Sequence, residues 1–244
     1  MSDRSSAIVG GVGAAAGLGA ALCNRFASGG LHVFIAGRSA QRIEGLAAAI
    51  RSGGGTATSV VTDTTNEADV VRLFDAAEQH GGGIDLVVYN AGNNQWQDLL
   101  QMEAAFFESV WRVGCFGGFL VGREAARRMV PRGRGTIIFT GATASIRARP
   151  PFTAFASAKA GLRAIAQAMA REFGPRGIHV AHVIIDGGIK GERILSRYPE
   201  FAGQKGEDGL LEIDAIADNY WHLHTQHRTT WTHELDLRPF KEPF

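Results

Sequence analysis

The sequence predicts an α/β fold: a single-domain, doubly wound parallel sheet of seven strands with helices on both faces. Two observations predict it. Short β-rich runs alternate with helical patterns along the chain, and the runs are apolar throughout, as strands buried on both faces are. A glycine-dense turn also stands between the first run and the first helical pattern. Right-handed crossovers would then wind helices onto both faces of the sheet.

The elements follow in order. Strands are expected at 7–12, 32–36, 57–61, 84–89, 136–140 and 180–185, where runs such as Leu86-Val87-Val88-Tyr89 and Ile137-Ile138-Phe139 lie. Helices are expected between them at 18–28, 40–51, 67–80, 103–129 and 155–173. Beyond Ile185 the pattern changes. Residues 186–211 are rich in glycine and charge and read as a mobile loop on the substrate side, followed by a helix at 212–225 and a last strand at 231–237. No repeat or linker divides residues 1–244, so one domain is expected.

Composition narrows the function classes. With 244 residues and 45% hydrophobic content, one large core is affordable. A net charge of +1 without a basic block gives no nucleic-acid footprint. The two cysteines, Cys23 and Cys115, fall on predicted helices far apart, which implies a reducing cytoplasmic setting with no disulfide framework or cysteine metal site. The uncharged stretch 7–23 resembles a signal peptide or short membrane span in composition alone. Its glycines make a poor continuous helix, so strand, turn and helix fit better and no membrane role is expected.

Gly13-Ala14-Ala15-Ala16-Gly17-Leu18-Gly19 lies between the first strand and the first helix. Glycine there lets backbone turn sharply and approach a pyrophosphate at the helix N-terminus. The second strand ends Ala36-Gly37-Arg38-Ser39, with no acid to bond ribose hydroxyls. Arg38 can pair with a 2′-phosphate, aided by Ser39, which predicts NADP(H) over NAD(H). A solvated strand-end charge is the other reading of Arg38.

Gly13–Gly19, Asp63 after the third strand, Asn90-Ala91-Gly92 after the fourth and Phe155-Ala156-Ser157-Ala158-Lys159 together resemble the short-chain dehydrogenase/reductase family across residues 6–190. The resemblance implies that Asp63 meets the adenine and that Asn90, Ala91 and Gly92 shape the cofactor pocket. It also implies that Asp186, Gly187 and Ile189 lie at the nicotinamide end. The family reaction uses a tyrosine as acid or base and a lysine that lowers its pKa and binds the ribose. A serine holds the substrate oxygen, and a helix asparagine positions a water relay. The lysine matches Lys159. The other three positions fall on Phe155, Ala142 and Gly114. A phenyl ring carries no exchangeable proton, so the usual route is not available.

Replacements are few. Thr143 or Ser145 can supply the serine hydroxyl after a small register change. Tyr89 and Tyr220 read as packing residues, and Tyr198 as surface decoration or a group that folds over the site. Asp186, at the family's proline position, stabilises the oxidised ring if ionised, holds a proton if burial raises its pKa, or simply caps backbone. His182 and Asp186 stand roughly 13 Å apart along a strand and form no dyad. The histidines at 222, 224, 227 and 233 have no metal-like spacing, and no metal is expected.

Two functions therefore stand. One is hydride transfer to a small carbonyl or alcohol by an altered proton route, using water, Lys159 or Asp186. The other is an inactive NADP(H)-binding scaffold or regulatory subunit. Phe106, Phe107, Val110, Trp111, Phe116 and Phe119 give the helix at 103–129 more apolar surface than one sheet face requires, so a homodimer or homotetramer is expected.

Overall fold

The computed structural model describes residues 4–92 and 94–243. Seven parallel strands form one sheet in the order β3-β2-β1-β4-β5-β6-β9. They are β1 Ser6–Gly10, β2 His32–Gly37, β3 Thr56–Val61, β4 Ile84–Tyr89, β5 Gly135–Thr140, β6 Ile178–Ile185 and β9 Glu234–Leu237. The order reverses direction between β1 and β4. At such a switch point the loops at the strands' carboxyl ends part and leave a crevice for a ligand.

Helices α1 Leu18–Ser28, α2 Ala40–Ser52 and α9 Ile213–Thr225 cover one face, packing Leu22, Phe26, Ile43 and Tyr220 against Val9, Val33 and Val88. Helices α3 Glu67–Gln79, α5 Gly117–Met129 and α6 Thr153–Phe173 cover the other, where Phe74, Leu120 and Leu162 meet Ile8, Val87 and Phe139. These strands are apolar on both faces because each face has its own helical layer.

The helix expected at 103–129 is divided. After α4 (Ala104–Trp111), a wide π turn spans Arg112–Phe116 before α5 begins. Close packing accompanies the break. A Cβ at Gly117 would fall 2.4 Å from the Tyr89 hydroxyl, and one at Gly118 would fall 2.3 Å from a Leu162 methyl. The Tyr89 hydroxyl donates to the Val113 carbonyl inside the turn. By length and composition Ala104–Arg132 is apolar enough to span a bilayer. It lies instead as one layer of the fold, against α3 and α6.

Residues 187–211 contain more regular structure than a loop. They form β7 Ile189–Lys190, α7 Glu192–Arg197, α8 Pro199–Lys205 and the start of β8 Leu211–Glu212, with β7 and β8 pairing in parallel. The last strand is shorter than expected, four residues beside the upper half of β6.

Candidate functional site

Three loops meet at the carboxyl ends of β1, β4 and β6. Gly11 has φ 88°, a conformation that disfavours any side chain, and a Cβ there would fall 2.4 Å from the Ala91 nitrogen. The Asn90 N–H donates to the Gly10 carbonyl at 2.9 Å, fastening the Asn90-Ala91-Gly92 turn to the glycine turn. A Cβ at Gly19 would fall 3.3 Å from the Asn90 side-chain amide nitrogen, so these two turns pack tightly against each other there. The third loop follows β6: the Glu192 N–H donates to the Ala16 carbonyl at 2.8 Å, and Gly191 lies against Gly17.

This surface fits a dinucleotide. Space is open where a side chain of Gly13 would project, and Ala15 and Ala16 are exposed. Leu18 is buried and anchors the first turn of α1, whose N-cap Gly17 leaves the helix end without a capping side chain. The free N–H groups of such an end suit an anion. Arg38 and Ser39 stand exposed at the end of β2, and Ser39 does not cap α2. Asp63 accepts from the Thr65 N–H and hydroxyl at 2.9 and 2.8 Å through one oxygen, so its turn role is visible directly.

Lys159 closes the site from below. It is 3% exposed and donates to the Thr140 carbonyl at 2.7 Å, and a Cβ on Gly92 would lie 3.2 Å from its ammonium. Burial lowers its pKa to about 8, because an ammonium out of water is disfavoured relative to the neutral amine. The Phe155 ring, one helical turn earlier, is 5.8 Å from that ammonium. A phenyl face at this range attracts a cation weakly and exchanges no proton.

The other family positions offer no polar group. Ala142 precedes a short turn, Thr143–Ser145. Gly114 sits in the π turn, where a Cβ would meet the Ala158 Cβ at 2.7 Å. An asparagine there would displace α6, so the missing side chain and its neighbour are matched in size.

Of the two candidate hydroxyls after Ala142, one is engaged and the other is buried without a hydrogen-bond partner among the described residues. Thr143 donates to Asp186 Oδ1, and Ser145 is buried. Asp186 is 4% exposed, and its second oxygen accepts from the Arg238 guanidinium. Its carboxylate is thus engaged by protein groups. Gly187 (φ 145°) packs on Pro239, and Ile189 on the core. Tyr220 bonds the Thr140 hydroxyl at 2.9 Å from the α9 face of the sheet, and Tyr198 is half-exposed.

The partner of His182 is Glu234, a pairing the sequence did not show. His182 is fully buried with Nδ1 3.1 Å from Glu234, which also binds Arg163 through two contacts of 2.7 Å. Burial lowers the His182 pKa to about 4, in spite of Glu234. His182 Nε2 occupies the space a side chain at Gly141 would need. The pairing of β9 with β6 sets His182 beside Glu234, 52 residues away, and no sequence motif announces it. Among the described residues no group of three or more His, Cys, Asp or Glu is arranged to hold a metal.

Residues 7–193 match the short chain dehydrogenase family. The uncharacterized oxidoreductase YuxG of Bacillus subtilis is 35% identical over 225 residues, covering 90% of this chain and 32% of that protein. The chain therefore spans about a third of that relative's length. A crystal structure of a short-chain dehydrogenase from Rhodopseudomonas palustris superposes with TM-score 0.82 at 37% identity, covering 97% of this chain and 99% of that one. An actinorhodin polyketide ketoreductase solved with NADPH gives TM-score 0.88 at 18% identity, over 100% and 99% of the two chains, a likeness of fold.

Proposed function

Because the chain belongs to the short-chain dehydrogenase family of oxidoreductases, we propose that it binds NADP(H) and transfers hydride to or from a small carbonyl or alcohol without a phenolic acid. The observation that carries this reading is Lys159. It is kept at the family position, buried beside Gly92 of the Asn90 turn, with its pKa lowered to about 8.

In this reading the turn Gly13–Gly19 and the start of α1 receive the pyrophosphate, and Arg38 with Ser39 receives the 2′-phosphate. Asp63 and Asn90 flank the adenine half and the pocket wall, Lys159 holds the nicotinamide ribose, and the backbone at Gly187 and Ile189 faces the carboxamide. The bound cofactor supplies or accepts the hydride. Lys159 holds a proton at neutral pH and gives it up at modest cost, directly or through water. Phe155 and Ala142 contribute neither proton nor hydroxyl. Losing acid–base assistance costs about 10²–10⁴ in rate, and losing an oxygen-binding donor about 10²–10³, so turnover is slow.

NADPH oxidation against a panel of ketones, aldehydes and enones tests this. Slow turnover that disappears in Lys159→Ala supports it, and no hydride exchange with any of them contradicts it. A second reading, a cofactor-binding scaffold or subunit without turnover, draws on the Gly114–Ala158 contact, which leaves no room for the family's relay residue. Steady turnover by purified protein, lost in Lys159→Ala, contradicts that one.

Self-association as a homodimer or homotetramer belongs to the same proposal. Phe107, Trp111 and Phe119 are exposed on α4 and α5, and sedimentation checks it. Cytoplasmic placement rests only on two buried, unpaired cysteines.

A further inference from the structure

We propose that the substrate side of this site takes an organic acid, with its carboxylate on Arg147 and an apolar body along the rim. The inference rests on the reading above for which side faces substrate, and names the class of molecule that side accepts.

Arg147 stands in the connection between β5 and α6. Its N–H donates to the Thr143 carbonyl at 2.9 Å, folding the connection back over the end of β5. The guanidinium lies 3.9 Å from Asp186 Oδ1, beyond hydrogen-bond reach. Asp186 is already engaged, with Thr143 donating to that oxygen and Arg238 to the other. Arg238 also lies 3.9 Å from Asp236. Arg147 is thus paired with Asp186 by charge at a distance, while no carboxylate among the described residues hydrogen-bonds its guanidinium. Its Nε is moreover buried without a hydrogen-bond partner there. A buried donor left unmade is a standing cost that an arriving acceptor removes. A planar carboxylate matches the guanidinium fork better than any neutral oxygen does.

The surroundings describe the rest of the molecule. Three segments close around the opening, held by the Gln97 N–H on the Pro151 carbonyl at 3.3 Å and Arg193 on the Asn94 side-chain oxygen at 3.4 Å. Each presents apolar side chains to solvent: Trp96 and Leu99 on the first, Ile146 on the second, Leu195 and Tyr198 on the third. Exposed apolar side chains on segments tied to one another in this way offer an apolar body a surface to lie along.

Calorimetric titration of purified protein with octanoate, octanamide and acetate tests both halves, in the presence and absence of saturating NADPH. Octanoate is expected to bind at least about tenfold more tightly than octanamide and more tightly than acetate. In Arg147→Gln the octanoate advantage over octanamide should fall to within about twofold, in samples whose melting is measured alongside. Equal affinity for octanoate and octanamide in the unmodified protein overturns the carboxylate assignment, whatever the variant does. So does an advantage that persists in Arg147→Gln. Equal affinity for octanoate and acetate overturns the apolar body. A prior NADPH titration keeps the two proposals apart: failure to bind NADPH removes the cofactor reading, while the ligand comparison still stands or falls on cofactor-free protein.

Discussion

The glycine turn and the strip from Gly114 through Ala142 to Phe155 lie at the same ends of the same sheet, yet they have fared differently. In the first, backbone geometry does the work: Gly11 meets the Ala91 backbone at a distance that admits no side chain, and Gly19 packs tightly against Val12 and Asn90. In the second, side-chain chemistry would do the work, and three positions carry hydrogen, methyl and phenyl. A cradle built from backbone is tied to folding, because altering it forces strand ends apart. A proton relay is held by a few atoms whose loss leaves packing intact, as the Gly114–Ala158 contact illustrates. Binding and chemistry can therefore separate in this fold.

The strongest way to break the comparison is to damage the cradle alone. Gly11→Val places a side chain at a strained φ and within 2.4 Å of the Ala91 backbone. NADPH binding, followed by fluorescence, should vanish, and melting should fall sharply. Retained binding would mean the turn is not the seat of the cofactor.

The next effect concerns Lys159, buried between Gly92 and the Thr140 carbonyl. Its pKa of about 8 when folded, against 10.5 unfolded, means the buried ammonium opposes folding fully below pH 8. That penalty fades as pH rises from 8 to 10.5, where the unfolded state holds more protons than the folded one. Lys159→Met should therefore be more stable at pH 7 by up to about 3 kcal/mol, less the Thr140 hydrogen bond, with the gain lost by pH 10.5. Denaturant unfolding across that range checks it. The same variant should weaken NADPH binding.

Comparable behaviour on the acid side sharpens the picture beneath the strip. His182 has a pKa of about 4 when folded, against 6.5 unfolded, so its contribution is complete above pH 6.5 and is lost as pH falls toward 4. His32 behaves alike, depressed to about 4 by burial first and then by His80 and Arg4. The stability of His182→Asn should fall less steeply than that of the unmodified protein between pH 6.5 and 4.5, by roughly 1–2 kcal/mol. The smallest effect is at Arg38: Arg38→Asp should reduce the preference for NADPH over NADH by about tenfold. An unchanged ratio would leave Arg38 a solvated strand-end charge.

What was legible in the sequence follows the same division. Helix α1 and strand β4 have the bounds their apolar runs imply, and the seven-stranded parallel sheet follows from unalternating strands. The glycine turn was readable because its constraint is local. The π turn at Arg112–Phe116 was not, since it depends on Tyr89 and Leu162 reaching in from other elements. The start of α6 at Thr153, two residues before Phe155, has no capping side chain to mark it. Order within 187–211 comes from β7–β8 pairing and contact with Ala16, which local composition does not encode. Engagement of Asp186 by Arg238 and of His182 by Glu234 likewise awaited the docking of β9 against β6.

The central claim is that a working cradle faces a site without its acid. Its most direct test is the rate of deuteride transfer from deuterated NADPH to a carbonyl panel, measured for the unmodified protein beside Phe155→Tyr/Ala142→Ser. The account predicts saturable NADPH dependence in both and a double-variant rate at least about 10² higher. A rate in the unmodified protein equal to or above that of the double variant would contradict it.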